Sequence, residues 1–430
     1  MRWNSRLNVR LLLLGLFAAL LPAQQPRTIT LKEAEELALR NHPQLASARF
    51  NAEASGAVVK QVRSAFQPVL TGSLTTVGAD SNTSIAAGTI QTSGLTSRAA
   101  TGLGFSQLVT DFGRTSKLAD SARLRNAAQD RNVDATRAQI LLRVNQAYYA
   151  VLAAEAVLRV AQARLEMQQV TLRQVRALAE SSLKSTLDVS FAEVAVSEAE
   201  LALYQAENNV KASRAQLAAA MGETKAADFE VVDVPMPDRI PEDLESLVQE
   251  ALRRRPDLAA LNLSQSAAER FAEAEKKLRY PAISAVGVLG AVPVRQGNLA
   301  SQYSAVGLNV SIPFLNGGLN AARHAEAELR ARGTAKDAEA LALQIAADVR
   351  VAWIEADNAW QKLGVTARLV DQAATTLRLA QARYDIGLSG ILELTQAQLS
   401  LTTAQIASAN AKYEYLAKLA NLNYATGALH

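Results

Sequence analysis

Two periodicities divide this chain. A 3–4 spacing of apolar and small residues runs through Ile140, Val144, Ala147, Val151, Ala154, Leu158, Ala161, Leu165, Gln168, Leu172, Val175 and Ala179. It recurs at Ile345, Val349, Ala352, Ala356, Ala359, Leu363, Thr366, Val370, Ala373, Leu377, Ala380 and Tyr384. Such spacing predicts helices with a sustained coiled-coil seam, and its many Ala positions let helices approach closely. No Pro or Gly interrupts Arg114 to Met221, and no Pro follows Pro313. Two helices are therefore expected, from about Arg114 to Ser181 and from about Leu319 to Asp385. They far exceed the ordinary length of ~11 residues. At ~1.5 Å per residue, each would be on the order of 100 Å long. One ends at Ser182-Leu183-Lys184-Ser185 and the other at Gly387-Leu388-Ser389-Gly390. A second helix follows each break, to Met221 and to Ala425, so the pattern predicts two helical hairpins, each with its tip far from its base.

Elsewhere the period changes to two. Leu103, Phe105, Gln107 and Val109 alternate with Gly and Ser. Val286, Val288, Val292 and Val294 share one parity, and Val306, Leu308, Val310 and Ile312 alternate with Gly307, Asn309 and Ser311. With a weaker run from Leu70 to Thr76, this predicts four strands in two hairpins. The connectors are polar, one long (Asp80 to Arg98) and one short (Arg295 to Gln302), as in membrane barrels with long outer loops. Phe66 and Tyr280 precede the hairpins, and Phe112 and Phe314 follow them. Hairpin connectivity puts these four aromatics at one level, where an interfacial girdle belongs; the alternative is four ordinary core aromatics beside turns. Four strands cannot close a barrel in lipid, and open edges are not allowed there. If these strands lie in a membrane, the chain must oligomerise, and a trimer would give twelve strands.

The sequence is also duplicated. Leu31 to Leu45 reads LKEAEELALRNHPQL, and Leu244 to Leu258 reads LESLVQEALRRRPDL, at an offset of 213 that also carries Phe66-Gln67-Pro68 onto Arg279-Tyr280-Pro281. Later landmarks follow an offset of 205: Asp111-Phe112-Gly113 on Asn316-Gly317-Gly318, Tyr148 on Trp353, Leu187-Asp188-Val189 on Leu392-Glu393-Leu394, and Met221-Gly222 on Thr426-Gly427. A repeat this long implies two similar structural units. The expected organisation is a signal peptide at 1–23, a first repeat at 24–222, a linker at 223–243 with room for a short strand, and a second repeat at 244–430.

Composition narrows the classes. Aromatics make up 5% of the 430 residues, and Cys is absent, which excludes disulfides, thiol chemistry and the acylated Cys of a lipoprotein. Arg2, Arg6 and Arg10 precede the apolar stretch Leu11 to Leu21, and Pro22-Ala23 offers a small-residue cleavage site. The stretch is too short for a membrane helix and reads as a secretory signal. The net charge is +4, and removing those three Arg leaves 42 basic against 41 acidic residues, a net of +1. That balance gives no case for nucleic acid. The three His residues, His42, His324 and His430, lack metal spacing, and no phosphate loop or nucleophilic arrangement stands out, so neither a metal, a cofactor nor an enzyme is expected.

The chain resembles the TolC-like outer-membrane efflux factors. The resemblance rests on the two repeat openings, the DFGR and NGG segments after the strands, RYDIGLSGILEL at the second tip and the Gly near each repeat end. It implies an α+β fold of mostly long helices. In that family fold a trimeric twelve-stranded outer-membrane β-barrel, four strands per chain, continues into a periplasmic α-helical coiled-coil barrel. It also implies a passive exit duct of a tripartite efflux pump, or of a type I secretion system. Its partners would be two further copies, outer-membrane lipid, a periplasmic adaptor (membrane fusion) protein and an inner-membrane transporter. Family members close the periplasmic aperture with acidic rings six and nine positions after the tip Gly, here Glu393 and Gln396, with Asp188 matching the first of these in the other hairpin. Two departures stand out: Gln396 is neutral, and Ser389 replaces an Arg expected two positions after Gly387. Adaptor docking falls at the tips, on Leu183, Gly387, Leu388 and Ser389, although the first tip has no Gly.

Two other readings compete. Ser185 followed by Asp188 has the spacing of a helix N-cap with an acidic third residue, and Gly390 followed by Glu393 is a weaker version. Acidic residues there are stabilised by the helix dipole without any gating role. A periplasmic coiled-coil scaffold without a pore would share the signal and the seams, but it leaves the alternating strands and their Ser/Gly loops unexplained.

Overall fold

The computed structural model describes residues 27–78, 86–87, 90–91, 97–224, 229–294 and 300–429. The expected signal peptide and parts of both strand connectors lie outside the described residues. A strand β1 (Arg27–Ile29) leads into helices α1 (Leu31–Asn41) and α2 (Pro43–Ser64). Strand β2 (Val69–Val77), two-residue strands β3 (Ala86–Ala87) and β4 (Ile90–Gln91), and strand β5 (Arg98–Thr110) follow. Then come helices α3 (Arg114–Glu180) and α4 (Thr186–Ala220) and strand β6 (Phe229–Val231). The second half runs α5 (Leu244–Arg254), α6 (Pro256–Lys276), a 3-10 turn (Lys277–Arg279), β7 (Ala282–Val294), β8 (Gln302–Ser311), α7 (Leu319–Asp385) and α8 (Ile391–Ala425).

Both long helices have 67 residues, and both that follow them have 35. No residue of either expected seam is exposed. Val144, Val151 and Val175 on α3, and Ile345, Val349 and Ala356 on α7, are fully buried. The 3–4 pattern therefore reports which side of each helix meets its neighbours. No helix among the described residues is long and apolar enough to cross a membrane.

Contacts group the chain into two compact units, each drawing on both halves of the sequence. One takes the described residues through Arg40, with Ala147–Pro237 and Val370–Tyr413; the other takes Asn41–Gln146, Asp238–Leu369 and the residues from Glu414 onward. In the first unit β1 pairs in parallel with β6, so the linker strand lies beside the chain's first described element. Tyr148 secures this pair: its hydroxyl donates to the Val232 carbonyl at 2.6 Å and accepts from the Val232 N–H at 3.0 Å. Burial, the largest influence, pushes this phenol up to about 12. In the second unit the repeat-related Trp353 donates to the Pro241 carbonyl at 2.9 Å, and Tyr415 donates to the Asp238 carbonyl at 2.8 Å. Each unit thus uses a buried ring to satisfy linker carbonyls that would otherwise lose their hydrogen bonds to water. The strand pair β1–β6 was not legible in the sequence beyond an expected short strand in the linker, because three residues show no period.

The second unit carries the four-stranded sheet, in the order β2-β5-β7-β8 and antiparallel throughout. Its register sorts the side chains onto two faces. Leu70, Leu74, Leu103, Phe105, Ile283, Leu289, Val306, Leu308 and Val310 share one. The other carries Thr71, Ser73, Thr75, Gly102, Gly104, Ser106, Ser284, Gly290, Tyr303 and Asn309, with Val286 and Val288 among them. The apolar face is open, with Val306 88% and Leu308 70% exposed. Water would oppose such a surface strongly, so it fits a hydrocarbon surrounding.

On the small-residue face, Tyr303 stands opposite Gly290, and Gly290 stands opposite Gly102. A Cβ at Gly290 would run into the Tyr303 ring and the Thr101 carbonyl, whereas one at Gly307 meets nothing. The two glycines make the space in which the ring lies against the strands. Gly290→Ala is expected to destabilise the folded protein by about 1–3 kcal/mol through overpacking, while Gly307→Ala leaves it unchanged. Thermal unfolding of the detergent-solubilised protein followed by circular dichroism decides this, and equal melting temperatures would contradict the packing account.

Candidate functional site

The hairpin tips belong to the first unit. Two hydrogen bonds close the first: Ser182 N–H to the Ala179 carbonyl at 2.9 Å and Leu183 N–H to the Leu178 carbonyl at 2.9 Å. The second repeats the pattern, with Gly387 N–H to Tyr384 at 3.1 Å and Leu388 N–H to Arg383 at 2.8 Å. Both are Schellman turns, which require a left-handed residue after the helix. Gly387 supplies it with φ +76°, and Ser182 supplies it with φ +59°. A residue with a Cβ there bears roughly 1–2 kcal/mol of backbone strain. The tip without Gly therefore has the same backbone turn as the tip with one. Leu183 and Leu388, the residues just beyond, are 70% and 67% exposed.

The acidic residues behind the tips have different partners. Asp188 closes a full capping box: its Oδ2 accepts from the Ser185 N–H at 3.1 Å, and its own N–H donates to Ser185 Oγ at 3.2 Å. The capping expectation for Asp188 is met. Glu393 instead accepts from Arg383 Nε at 3.0 Å, an ion pair joining α7 to α8. Gln396 is exposed one turn along α8. Ser389 is half-buried, and its Oγ has no hydrogen-bond partner.

Between the tips lies an apolar cluster of Val175, Ala192, Tyr384, Ile391 and Leu394. Burying Leu394 alone is worth about 1.5–3 kcal/mol. Lys184, from the first tip, places its ammonium 4.2 Å from the Tyr384 ring centre. Burial, followed by the charges of Asp188 and Asp385, raises the Tyr384 phenol above its usual value. The link of Lys184 to Tyr384 and the pairing of Arg383 with Glu393 were not foreseen from sequence. The only sequence signal was that Tyr384 ends the second seam, one position after Arg383.

Hydrogen bonds and ion pairs within this unit order its helices as α4, α3, α8 and α7. Arg176 reaches Glu193 at 2.6 Å between α3 and α4, and Gln398 Nε2 reaches Thr171 Oγ1 at 3.1 Å between α8 and α3. Apolar residues remain exposed on α4 at Leu187, Phe191, Val194, Leu201 and Tyr204, and at Leu379 and Ile386 on α7 and its end. The α4 residues follow the 3–4 spacing of a seam that has no partner among the described residues.

In the second unit, the starts of β2 and β7 and the ends of β5 and β8 fall at one end of the sheet. Phe66, Tyr280, Phe112 and Phe314 adjoin that end in sequence. Phe112 and Tyr280 pack with ring centres 5.8 Å apart, and Phe314 is 89% exposed. His42 caps α2 by accepting the Gln44 N–H on Nδ1 at 3.2 Å. No group of metal-ligating side chains occurs among the described residues.

A two-faced sheet with an open apolar side, joined to long helical hairpins, defines a channel-forming outer-membrane protein. The chain belongs to the outer membrane efflux protein family, whose model matches residues 35–223 and 247–428. It is similar to the outer membrane protein TolC of Vibrio cholerae, 26% identical over 408 residues, 93% of this chain and 91% of that protein. It is also similar to the probable efflux pump outer membrane protein TtgC of Pseudomonas putida, 25% identical over 410 residues that cover 92% of this chain and 82% of that one. Among solved structures, the outer membrane protein VceC of Vibrio cholerae has the same fold, with TM-score 0.79 at 20% identity over 92% of this chain and 96% of that one. So does the open state of the MtrE outer membrane channel of Neisseria gonorrhoeae, with TM-score 0.77 at 22% identity over 92% of this chain and 88% of that one. The chain is an outer-membrane component of efflux transport.

Proposed function

We propose that three copies of this chain form a passive exit duct that docks to a periplasmic adaptor and, through it, to an inner-membrane transporter. The four-stranded sheet carries this reading. Among the described residues, its edge strands β2 and β8 each have one unpaired side, while its outer face is apolar. Backbone groups on such edges cannot stay unsatisfied in hydrocarbon, so β8 of one copy pairs with β2 of the next. Three sheets then close twelve strands, with the Thr, Ser, Gly and Tyr303 face lining the lumen. The unpartnered stripe on α4 meets the α7 edge of the neighbouring copy in the same head-to-tail sense, which closes a ring. Mass measurement on native complexes extracted from outer membranes is expected to give three subunits. A soluble periplasmic monomer or dimer would leave the coiled-coil scaffold instead.

The tips are the aperture and the docking surface in this reading. Glu393 and Asp188, three copies of each, surround the periplasmic opening and favour cations there. With Ser389 and Gln396 in place of charged residues, the closed state rests on the Arg383–Glu393 pair and on Lys184 held over Tyr384. Glu393→Gln removes both the ring charge and the Arg383 link. In planar bilayers it is expected to lower cation selectivity and raise conductance, and cells carrying it should leak antibiotics. Unchanged conductance and leakage would remove Glu393 from the gate.

The exposed Leu183 and Leu388, on turns held rigid by their Schellman bonds, together with Gly387 and Ser389, present the adaptor's contact. Leu388→Glu is expected to abolish efflux, read as antibiotic susceptibility, while the trimer persists. Loss of the trimer would give Leu388 a structural role.

A further inference from the structure

The base of the sheet carries a second cluster. In the short run before β7, Lys276, Lys277 and Arg279 have no ion pair, although Lys117 and Arg114 nearby are matched to Glu273 at 2.5 Å and Glu275 at 3.4 Å. Two of these cations converge on one ring: Arg279 lies 5.3 Å and Lys277 6.0 Å from the centre of Tyr280, and one Arg279 nitrogen donates to the Tyr280 hydroxyl at 3.4 Å, leaving its other donors open. Lys277 Nζ also donates to the Phe112 carbonyl at 2.8 Å. That bond fixes the ammonium and leaves its other two N–H donors open. Phe112 itself holds a left-handed backbone, φ +56°, unusual for an aromatic residue, and this turns its ring onto Tyr280. Beside them a cavity of about 400 Å³ is bordered by Lys277, Tyr280, Pro313, Asn316 and Asn320.

The carboxylate of Asp111 also borders this cavity, but it accepts from Gly113 and Thr115 and pairs with neither cation. Cations drawn together in this way repel one another, and an anion between them relieves the repulsion. Open N–H donors on an ammonium and a guanidinium suit phosphate oxygens, and the guanidinium can bind two of them at once. The two rings adjoining the cations are packed together and both exposed, so they offer an apolar surface at the base of the sheet. A ligand matching all of this has a phosphate head and an alkyl body.

We infer that Lys277 and Arg279, seated on Tyr280 and Phe112, form a binding site for the phosphate headgroup of an anionic phospholipid at the inner rim of the barrel. This rests on the placement of the strands in the membrane argued above and adds a specific lipid to it. The site anchors the height of the barrel in the bilayer at a point where the chain passes from helix to strand. Lys276 adds positive charge at the surface without contacting Tyr280.

Native mass spectrometry of the full-length protein, extracted in detergent and titrated with phosphatidylglycerol or phosphatidylethanolamine, tests this. Phosphatidylglycerol is expected to stay on the trimer, and the double variant Lys277→Gln, Arg279→Gln to weaken its retention by roughly tenfold or more. The charge-preserving pair Lys277→Arg, Arg279→Lys should retain it, which separates charge from folding. Equal retention by wild type and the double Gln variant, or no preference over phosphatidylethanolamine, overturns the site. Displacement of the lipid by inorganic phosphate in stoichiometric amounts would reassign it to free anions and also overturn it. The same spectra report subunit number. An intact trimer without charge-dependent lipid defeats only this inference, whereas a monomer defeats the channel reading with it.

Discussion

Unsatisfied backbone hydrogen bonds at the two sheet edges govern everything else in this protein. The apolar face formed by Leu70, Leu103, Phe105, Leu289, Val306 and Leu308 fits hydrocarbon, and hydrocarbon tolerates no free N–H or C=O. One copy supplies four strands and, among the described residues, leaves the outer edges of β2 and β8 without partners. The duplication in sequence therefore does not complete a barrel; it supplies one arc of it. Parity along the strands then fixes the other face. Once Val306 and Leu308 point outward, Gly307, Asn309 and Tyr303 must point inward, because a strand alternates strictly. The small and hydroxylic residues of that face suit a wet passage.

The helical part meets a related problem by other means. A helix satisfies its own backbone, so its constraint is packing along many turns rather than hydrogen bonding across an edge. Ala at seam positions such as Ala352, Ala356, Ala359, Ala373 and Ala380 permits close approach, but identical small residues specify register poorly. A buried polar layer in the first unit supplies what Ala cannot. Gln168, Thr171, Gln398 and Thr402 are all buried, and Gln398 donates to Thr171 between α8 and α3. Sliding either helix by one turn would break this bond and leave the buried Gln398 amide nitrogen unpaired, at a cost of about 1–3 kcal/mol. The polar layer thus fixes an alignment that the apolar positions leave loose.

Much of this was legible in the sequence, and the limits have physical causes. The long helices announced themselves because a 3–4 period over many turns and the lack of Pro leave no other structure. The strand faces were legible because apolar residues alternate with Gly and Ser from Leu103 to Ser106 and with Gly, Asn and Ser from Val306 to Ile312. The pairing of β1 with β6 was hidden, since contacts between Arg27–Ile29 and Phe229–Val231 depend on the fold bringing distant segments together. At the tips, Ser185 and Asp188 were readable as a cap because both partners lie within one helical turn. The Arg383–Glu393 pair was not, because it joins residues on two helices across a turn. Lys184 over Tyr384 was harder still, since it joins two hairpins. Contacts within a turn are written locally, and contacts across elements are not.

That difference separates the two tips mechanically. They share one backbone turn, at Ser182 and at Gly387, yet their acidic residues are tied differently. Asp188 has one oxygen committed to Ser185 on its own helix, so it moves with α4 as a unit whatever the neighbouring helices do. Glu393 is bonded to the helix preceding its own, through an exposed pair worth little in water. Such a pair breaks cheaply, and breaking it releases the Glu393 carboxylate from α7 while Tyr384, Ile391 and Leu394 keep the two helices packed. The first hairpin is therefore built to keep its acidic residue fixed, and the second to release it. An aperture assembled from three copies of each would pivot on the second hairpins, with Lys184 and Tyr384 as the contact that must part.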